Sequence, residues 1–391
     1  MVLIPPRLSG DFLVKQTGVW YNEHMNKGMT FRIYPNKEQI VLIQKTFGCS
    51  RFVYNQGLSL RMNEYKAGKS IGYKETNAML SSLKKSDEYI WLQEVDSIAL
   101  QQSLRDLDKA YKNFFAKRAG FPKFKSKHDH SKSYRTQKVG SNISVAGSYI
   151  KLPKLGYVKA RISMPVNGRI NNATIEQVPS GKYFCVLNVE APDVFYPNGG
   201  CMIGLDMGIK TFYTDSNNYA LQNPKNLARY EKKLNKEQRK LSKKVKGSSN
   251  WNKQRIKVAR IHEKITDRRN DFLHKESTRL VKENQIICIE DLNVKGMVRN
   301  HKLAKTISDV SWSKFFRMLE YKAYFYGTEI IRVPRFYPSS QKCSCCGYQN
   351  PNIKKLSIRE WACPACGTYH DRDGNAAKNI LQKGLSLRKA V

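Results

Sequence analysis

Hydrophobic and polar positions change rhythm three times along this chain. After a first stretch without a clear period, Thr30 to Tyr34 alternates like a strand. From Lys37 to about Lys117 the apolar residues recur at helical spacing, in Ile40-Leu42-Ile43-Phe47 and again in Ile98-Leu100-Leu104-Leu107-Tyr111-Phe114-Phe115. Asn36 stands where a cap for the first helix belongs. At Gly120 the texture turns to short alternating runs: Tyr149-Ile150-Lys151-Leu152, Tyr157-Val158-Lys159-Ala160-Arg161-Ile162 and Tyr183-Phe184-Cys185-Val186-Leu187-Asn188-Val189. Turns such as Pro179-Ser180-Gly181 separate them, which predicts a small antiparallel β unit closed into a barrel. A third texture starts at Cys201. The apolar strand Met202-Ile203-Gly204-Leu205 precedes a helical stretch over 225–282, broken near Gly247-Ser248-Ser249. Two further strands, Ile286-Ile287-Cys288-Ile289 and Glu329-Ile330-Ile331-Arg332-Val333, complete an order that predicts an α/β layer.

Length and charge narrow the function. A chain of 391 residues exceeds one ordinary core, so two to four packed units are expected, and 40% apolar residues suffice to fill them. Lys and Arg number 69 against 32 Asp and Glu, a formal net charge of +37. A folded chain this basic calls for a polyanionic partner, with nucleic acid ahead of an anionic membrane surface. No run approaches the roughly 18 apolar residues of a membrane span, and the N-terminus lacks the pattern of a secretion signal. No membrane partner is therefore expected, and the protein is placed in the cytoplasm or on the nucleoid. Met25 and Met29 offer alternative starts, which leaves residues 1–28 as an extension of open status, disordered by expectation.

Between 225 and 282 stand twenty Lys/Arg and six Asp/Glu, a bias suited to the wall of a nucleic-acid channel, with a solvated helical hairpin as the plain alternative. Phe121-Pro122-Lys123-Phe124-Lys125 interleaves aromatic and basic residues. Phe121, Lys123 and Lys125 are candidates for stacking on and neutralising a nucleic acid, and a turn between domains accounts for them nearly as well.

Five of the nine cysteines crowd between 343 and 366, while Cys49, Cys185, Cys201 and Cys288 stand apart in apolar surroundings and are expected as reduced core residues. Cys343, Cys346, Cys363 and Cys366 form C-x2-C-x16-C-x2-C, each pair followed by a glycine, Gly347 and Gly367. Two tight turns can then offer four thiolates to one zinc ion, leaving no open coordination position, so the site reads as structural. Cys345 is the spare thiol, and His370 is left unassigned.

Three carboxylates carry the remaining chemistry. Asp206 and Glu290 each end an apolar strand, and Asp373 opens a short helix directly after the cysteine cluster. Singly, each is better explained as a turn or cap residue. Together, hard oxygen ligands at neighbouring strand ends suit two magnesium ions, which can activate water and steady the leaving oxygen of a phosphodiester.

At these residues the chain resembles the TnpB family, proteins encoded by insertion sequences and related to type V CRISPR nucleases. The likeness rests on Gly204-Leu205-Asp206-Met207-Gly208-Ile209-Lys210, Ile289-Glu290-Asp291-Leu292, Pro338-Ser339-Ser340-Gln341-Lys342-Cys343 and Arg372-Asp373-Gly374-Asn375-Ala376-Ala377. It extends forward through Phe31-Arg32-Ile33-Tyr34-Pro35-Asn36, Ser50-Arg51-Phe52-Val53-Tyr54-Asn55 and Gly120-Phe121-Pro122-Lys123-Phe124, covering about residues 29–385.

The resemblance implies an α/β plus β-barrel architecture. A wedge β-barrel (29–36 and 119–198) would carry an inserted helical recognition lobe (37–118). A RuvC-like nuclease domain of RNase H fold (199–340 and 370–383) would be interrupted by the zinc ribbon (341–369), with a tail at 384–391. It further implies a guide RNA from the transposon end, one protein copy per RNA, and double-stranded target DNA beside a short motif. The expected catalytic triad is Asp206, Glu290 and Asp373 on two Mg²⁺, with one structural Zn²⁺. Tyr73, Asn77 and Gln101, polar residues of the lobe, are candidate motif readers by position alone, and an ordinary surface residue is the better account of each. The rivals are a conventional transposase that joins DNA ends without a guide, and a guided regulator that binds without cutting.

Overall fold

The computed structural model describes residues 3–4, 25–127, 132–192, 194–355 and 357–389. Apart from the pair at 3–4 and residues 25–28, the expected extension lies outside the described residues. The chain divides into two compact units, Val2–Pro192 and Asp193–Val391.

The N-terminal unit is an antiparallel sheet with helices inserted after its longest strand. In chain order it has β1 (Leu3–Ile4), β2 (Met25–Tyr34), α1 (Lys37–Lys66), α2 (Tyr73–Lys85), α3 (Ser97–Phe115), β3 (Lys132–Gln137), β4 (Ser144–Ala146), β5 (Tyr149–Leu152), β6 (Gly156–Arg161), β7 (Arg169–Gln177) and β8 (Tyr183–Ala191). The strands run β3-β7-β8-β2-β6-β5-β4, with β1 beside β2. The first strand starts at Met25, five residues earlier than its alternation predicts. Asn36 caps α1 as expected, in a capping box: its side chain accepts from the Gln39 backbone amide at 2.8 Å, and the Gln39 side chain accepts from the Asn36 backbone amide at 3.0 Å.

The expected barrel is not closed by strand pairing among the described residues, because the path ends in β3 and β4. β4 is three residues long and offers little to pair with. β3 is braced by α3 instead, through Arg135–Asp106 and the Thr136 hydroxyl on Asp96. β7 is hidden in the sequence because its register shifts between Ile170 and Asn172, which breaks the period of two.

The C-terminal unit holds β9 (Cys201–Met207), β10 (Thr211–Asp215), β11 (Ala220–Gln222), α4 (Asn226–Ser242), α5 (Ser249–Glu283), β12 (Asn284–Glu290), α6 (Val294–Met297), α7 (His301–Val310), α8 (Trp312–Tyr326), β13 (Glu329–Val333), β14 (Glu360–Ala362), β15 (Tyr369–Asp371) and α9 (Arg372–Lys389). Its five-stranded sheet runs β11-β10-β9-β12-β13. The first three strands form an antiparallel meander, and β12 and β13 lie parallel to β9. Parallel neighbours need crossovers. The basic α4–α5 hairpin supplies one and α6–α8 the other. Leu273 and Leu280 of α5 and Phe315 and Leu319 of α8 share a core with Ile203, Leu205 and Ile287 of the sheet. Ile380 of α9 packs in a second core with Cys288 and Val333. The strands are therefore buried on both faces, which is why they read as unbroken apolar runs.

Two expectations need correction. Cys201 is exposed at the start of β9, whereas Cys49, Cys185 and Cys288 are buried. The short helix opened by Asp373 is α9, eighteen residues long. α9 lies directly on β9 at Gly204, where a Cβ would come within 2.3 Å of the Ala377 carbonyl oxygen. Gly204→Ala must push α9 away and is expected to cost about 1–3 kcal/mol, read as a lowered melting temperature.

Candidate active site and metal centre

Parallel pairing of β9 with β12 decides where the first two carboxylates go. Leu205 faces Ile289 across the ladder, so Asp206 and Glu290 follow at the same carboxyl end of adjacent strands. Such strand ends are where open α/β sheets place ligands. The first turn of α9 brings Asp373 to the same place, and all three line one cleft of about 800 Å³. Asp206 sits on its floor. Burial first, then the charges of Glu290 and Asp373, push the Asp206 pKa well above its ordinary value, against the pull of Arg372 and Arg359. Burial also raises Glu290, opposed by the Ser339 hydroxyl, which donates to Glu290 Oε1 at 2.8 Å. Asp373 accepts from the Arg359 guanidinium at 3.2 and 3.3 Å.

The sequence singles out the three acids but not what holds them. Asp371 caps α9 by accepting from the Gly374 amide at 2.8 Å, which leaves Asp373 free to face the cleft. A Cβ at Gly374 would meet the Asn218 side-chain oxygen at 2.3 Å, so a larger residue there must displace that exposed side chain. One turn on, Asn375 donates to the Lys342 carbonyl at 2.7 Å and accepts from the Ser344 amide at 2.9 Å. Asn379 donates to the carbonyls of Ser339 at 2.8 Å and Lys342 at 2.5 Å. Both asparagines are buried, and together they fasten the loop over 338–344 to α9. Ser339 is thereby held against Glu290. On the other side of the loop, Arg335 donates to the Asp291 carbonyl at 3.1 Å and to its carboxylate at 2.7 Å. The available signal was the pair of asparagines four residues apart, one face of a helix, next to an acid.

Ser339→Ala removes the hydroxyl that opposes the upward shift of the Glu290 pKa. The folded Glu290 pKa then rises further, so a reaction that needs this carboxylate charged loses its rate at a higher pH on the acid side. A pH–rate profile is expected to show that limb displaced upward, with the alkaline side unchanged.

The four cysteine sulfurs lie within 4.8 Å of one another, whereas the carboxylate oxygens are not gathered so closely. Cys343 to Cys366 is 3.7 Å and Cys346 to Cys363 is 3.6 Å. A tetrahedron of zinc–sulfur bonds near 2.3 Å needs sulfurs ~3.8 Å apart, so the donor set fits zinc. Each pair sits on the same turn. The Gly347 amide bonds the Cys343 carbonyl at 3.0 Å and the Gly367 amide bonds that of Cys363 at 2.8 Å. Both glycines have φ in the left-handed region, 81° and 73°. Cys345 is exposed and outside this set. His370 is no fifth member: its Nε2 lies 3.1 Å from Cys343 Sγ and its ring lies against Trp361 at 4.9 Å.

The six remaining candidates all fall in the N-terminal unit and none lines the carboxylate cleft. Tyr73, at the start of α2, lies under the Arg105 guanidinium at 5.4 Å. Asn77, on α2, and Gln101, on α3, are half-buried, and the Asn77 side-chain oxygen has no hydrogen-bond partner. Phe121 packs edge-on against Tyr111 at 5.6 Å and Phe114 at 5.4 Å. Lys123 is exposed. Lys125 lies over the Tyr54 ring at 4.0 Å, and its backbone is pinned at both ends by the Asn55 side chain.

Three family models match in succession: one described as a helix-turn-helix domain over residues 25–70, one as "Probable transposase" over 185–301, and the Cas12f1-like TNB domain over 312–380. A Streptomyces pristinaespiralis protein, provisionally named an RNA-guided DNA endonuclease, is 39% identical over 93% of this chain and 90% of its own length. The chain belongs to the TnpB family. InsQ of Escherichia coli K12, likewise provisionally named an RNA-guided DNA endonuclease, is 35% identical over 91% of this chain and 92% of its own. Among solved structures, the Cas12f1–sgRNA–target DNA complex matches with a TM-score of 0.56 at 13% identity, covering 92% of this chain and 99% of that one. At that identity the likeness concerns fold alone. In this TnpB-family chain, residues 25–70 are a strand followed by one thirty-residue helix, not two helices around a turn.

Proposed function

We propose that the chain is an RNA-guided DNA endonuclease of an insertion sequence. It would bind a guide RNA derived from the transposon end, one protein copy per RNA, and cut double-stranded DNA next to a short motif. The observation that carries this reading is the meeting of Asp206, Glu290 and Asp373 in one cleft of a basic protein. Burial and the charges of Glu290 and Asp373 hold Asp206 in a state that a bound cation resolves. Family membership and the names of full-length relatives support it.

In this reading the five-stranded sheet with its crossover helices is the RuvC nuclease domain of RNase H type, interrupted by the zinc ribbon. The open sheet and its inserted helices are the wedge and the recognition lobe. Asp206, Glu290 and Asp373 are the catalytic residues and would hold magnesium. Bound there, magnesium supplies Lewis-acid polarisation of a phosphodiester and a water of lowered pKa. The rest is done by the chain itself. Ser339 donates to Glu290 and favours its charged form. Asp371 caps α9 so that Asp373 stays in the cleft, and Asn375 and Asn379 hold the Ser339 loop. Arg359 and Arg372 place positive charge where an anionic backbone must approach three acids. Tyr73, Asn77 and Gln101 remain the proposed readers of the flanking motif, and a cytoplasmic location follows from the partners.

The test is co-expression with a transposon-end RNA carrying a chosen guide, followed by incubation with a matched plasmid whose flanks are randomised. Cleavage is expected only with guide, magnesium and a subset of flanks. Strand joining by the protein without RNA would favour a conventional transposase. A complex that holds RNA and target but never cuts would favour a guided regulator.

A further inference from the structure

Among the described residues, no large apolar side chain is as exposed as Phe336, at 93%. A ring with nothing to bury against contributes nothing to the fold. Chain tips often carry such residues loosely, but this one is held stiffly. The Tyr337 amide bonds the Pro334 carbonyl at 3.0 Å, a four-residue turn with Arg335 and Phe336 at its two corners. Pro334 and Pro338 fix φ on either side of those corners. Before the ring, the Arg335 guanidinium holds both the carbonyl and the carboxylate of Asp291. After it, Tyr337 packs on the core of Cys288, Val333 and Ile380, with the Lys342 ammonium 6.0 Å from its ring.

Both ends of this loop meet Glu290. Val333 is the ladder partner of Glu290 on β13, and the Ser339 hydroxyl donates to its carboxylate. Phe336 is three residues from each of them, and three residues span about 10 Å at full stretch. Stacked bases rise ~3.4 Å apiece, so the ring stands within about three nucleotides of a phosphate held at Glu290. Phe336 does not line the cleft itself, so it can meet a strand without crowding the acids. A base offers its π-face where it is unpaired and unstacked, and an aromatic ring takes up that face whatever the base.

We infer that Phe336 is a stacking wedge for one unpaired base of the DNA strand being cut, beside the scissile phosphate. The inference rests on the nuclease reading of the cleft. It adds to that reading how the strand is registered, because the stacked base sets which phosphate lies over the acids. A contact that tolerates any base suits a nuclease whose sequence specificity comes from a guide.

The test uses the full chain assembled with guide RNA on a matched target, under single-turnover conditions. Abasic sites are walked one at a time along the displaced strand on both sides of its mapped cut, which leaves guide pairing untouched. The parent is expected to slow about tenfold at one position within about three nucleotides of the cut and to ignore the others. Phe336→Ala should cut the intact strand about tenfold slower, with an unchanged melting temperature, and lose nothing more from the abasic site at that position. Its cuts on the intact strand should spread over neighbouring phosphates. Phe336→Trp should keep the sensitivity to the missing base. A parent indifferent to every abasic site overturns the wedge. So does an alanine variant that still responds to the missing base, since the parent's ring then touches something else, such as a protein partner. A parent that never cuts the intact matched target contradicts the nuclease reading itself, an outcome separate from base sensitivity.

Discussion

In metal-free buffer near neutral pH, Asp206→Asn is expected to melt at a higher temperature than the parent chain and to ignore magnesium. Asp206 sits where burial and two neighbouring carboxylates raise its pKa. An acid whose folded pKa is raised binds its proton more tightly in the folded state. Stability therefore falls as pH climbs from the ordinary aspartate range through the folded value. Glu290 is raised in the same direction and adds to the fall. An amide at 206 removes the buried charge and its repulsion. We expect a gain of about 1–2 kcal/mol, or roughly 2–6 °C for a unit of this size. Magnesium should stabilise the parent, by binding the folded form alone, and leave the variant unmoved. Thermal melts of both proteins at pH 5 and pH 7.5, with and without magnesium, check this. The variant's advantage should shrink at the lower pH. Equal melting temperatures at both pH values would mean that the three carboxylates do not oppose one another.

The second large effect is the loss of cutting when the ribbon loses its metal. Cys343 and Cys363 are buried, and the ribbon's own core is small: Ile353, Trp361 and the two cysteines. A core that small cannot fold alone, and structural zinc contributes on the order of 10 kcal/mol in such modules. The ribbon also carries the active site's supports. Arg359 immediately precedes β14, its carbonyl accepts from the Arg372 amide at 2.7 Å, and Asp371 closes β15 as the cap of α9. Cys363→Ser should therefore lose zinc and reduce cleavage by about 10–100-fold, the scale seen when a supporting shell is removed. RNA retention should persist. Metal analysis, cleavage and RNA content measured on one preparation separate these outcomes, and full cleavage by zinc-free protein would show that the ribbon does not support the cleft.

Much of this was legible before the fold was known, and the reasons are local. Buried parallel strands announce themselves as apolar runs, so β9, β12 and β13 were placed within about two residues, and with them Asp206 and Glu290. The cysteine spacing identified the ribbon because two turns of the same shape repeat. What stayed hidden depends on contacts distant in sequence. β7 is masked by a bulge. The open sheet replaces a barrel because β4 is too short to pair on and α3 braces β3. Ser339 and Asn375 stood in the quoted motifs and Asn379 two residues past the last of them, yet their role appears only when α9 lies against the loop before Cys343. Cys201 was misjudged because burial in β9 begins only at Ile203, while Cys201 and Met202 stay at the surface.

The most direct measurement is guided cleavage under single-turnover conditions by Asp206→Ala, Glu290→Ala and Asp373→Ala, each assembled with RNA and matched target. Each is expected to hold RNA and DNA like the parent and to cut slower by at least ~10³-fold, because the three acids act as one unit. Cutting at the parental rate by any one of them would contradict the assignment of this cleft as the active site.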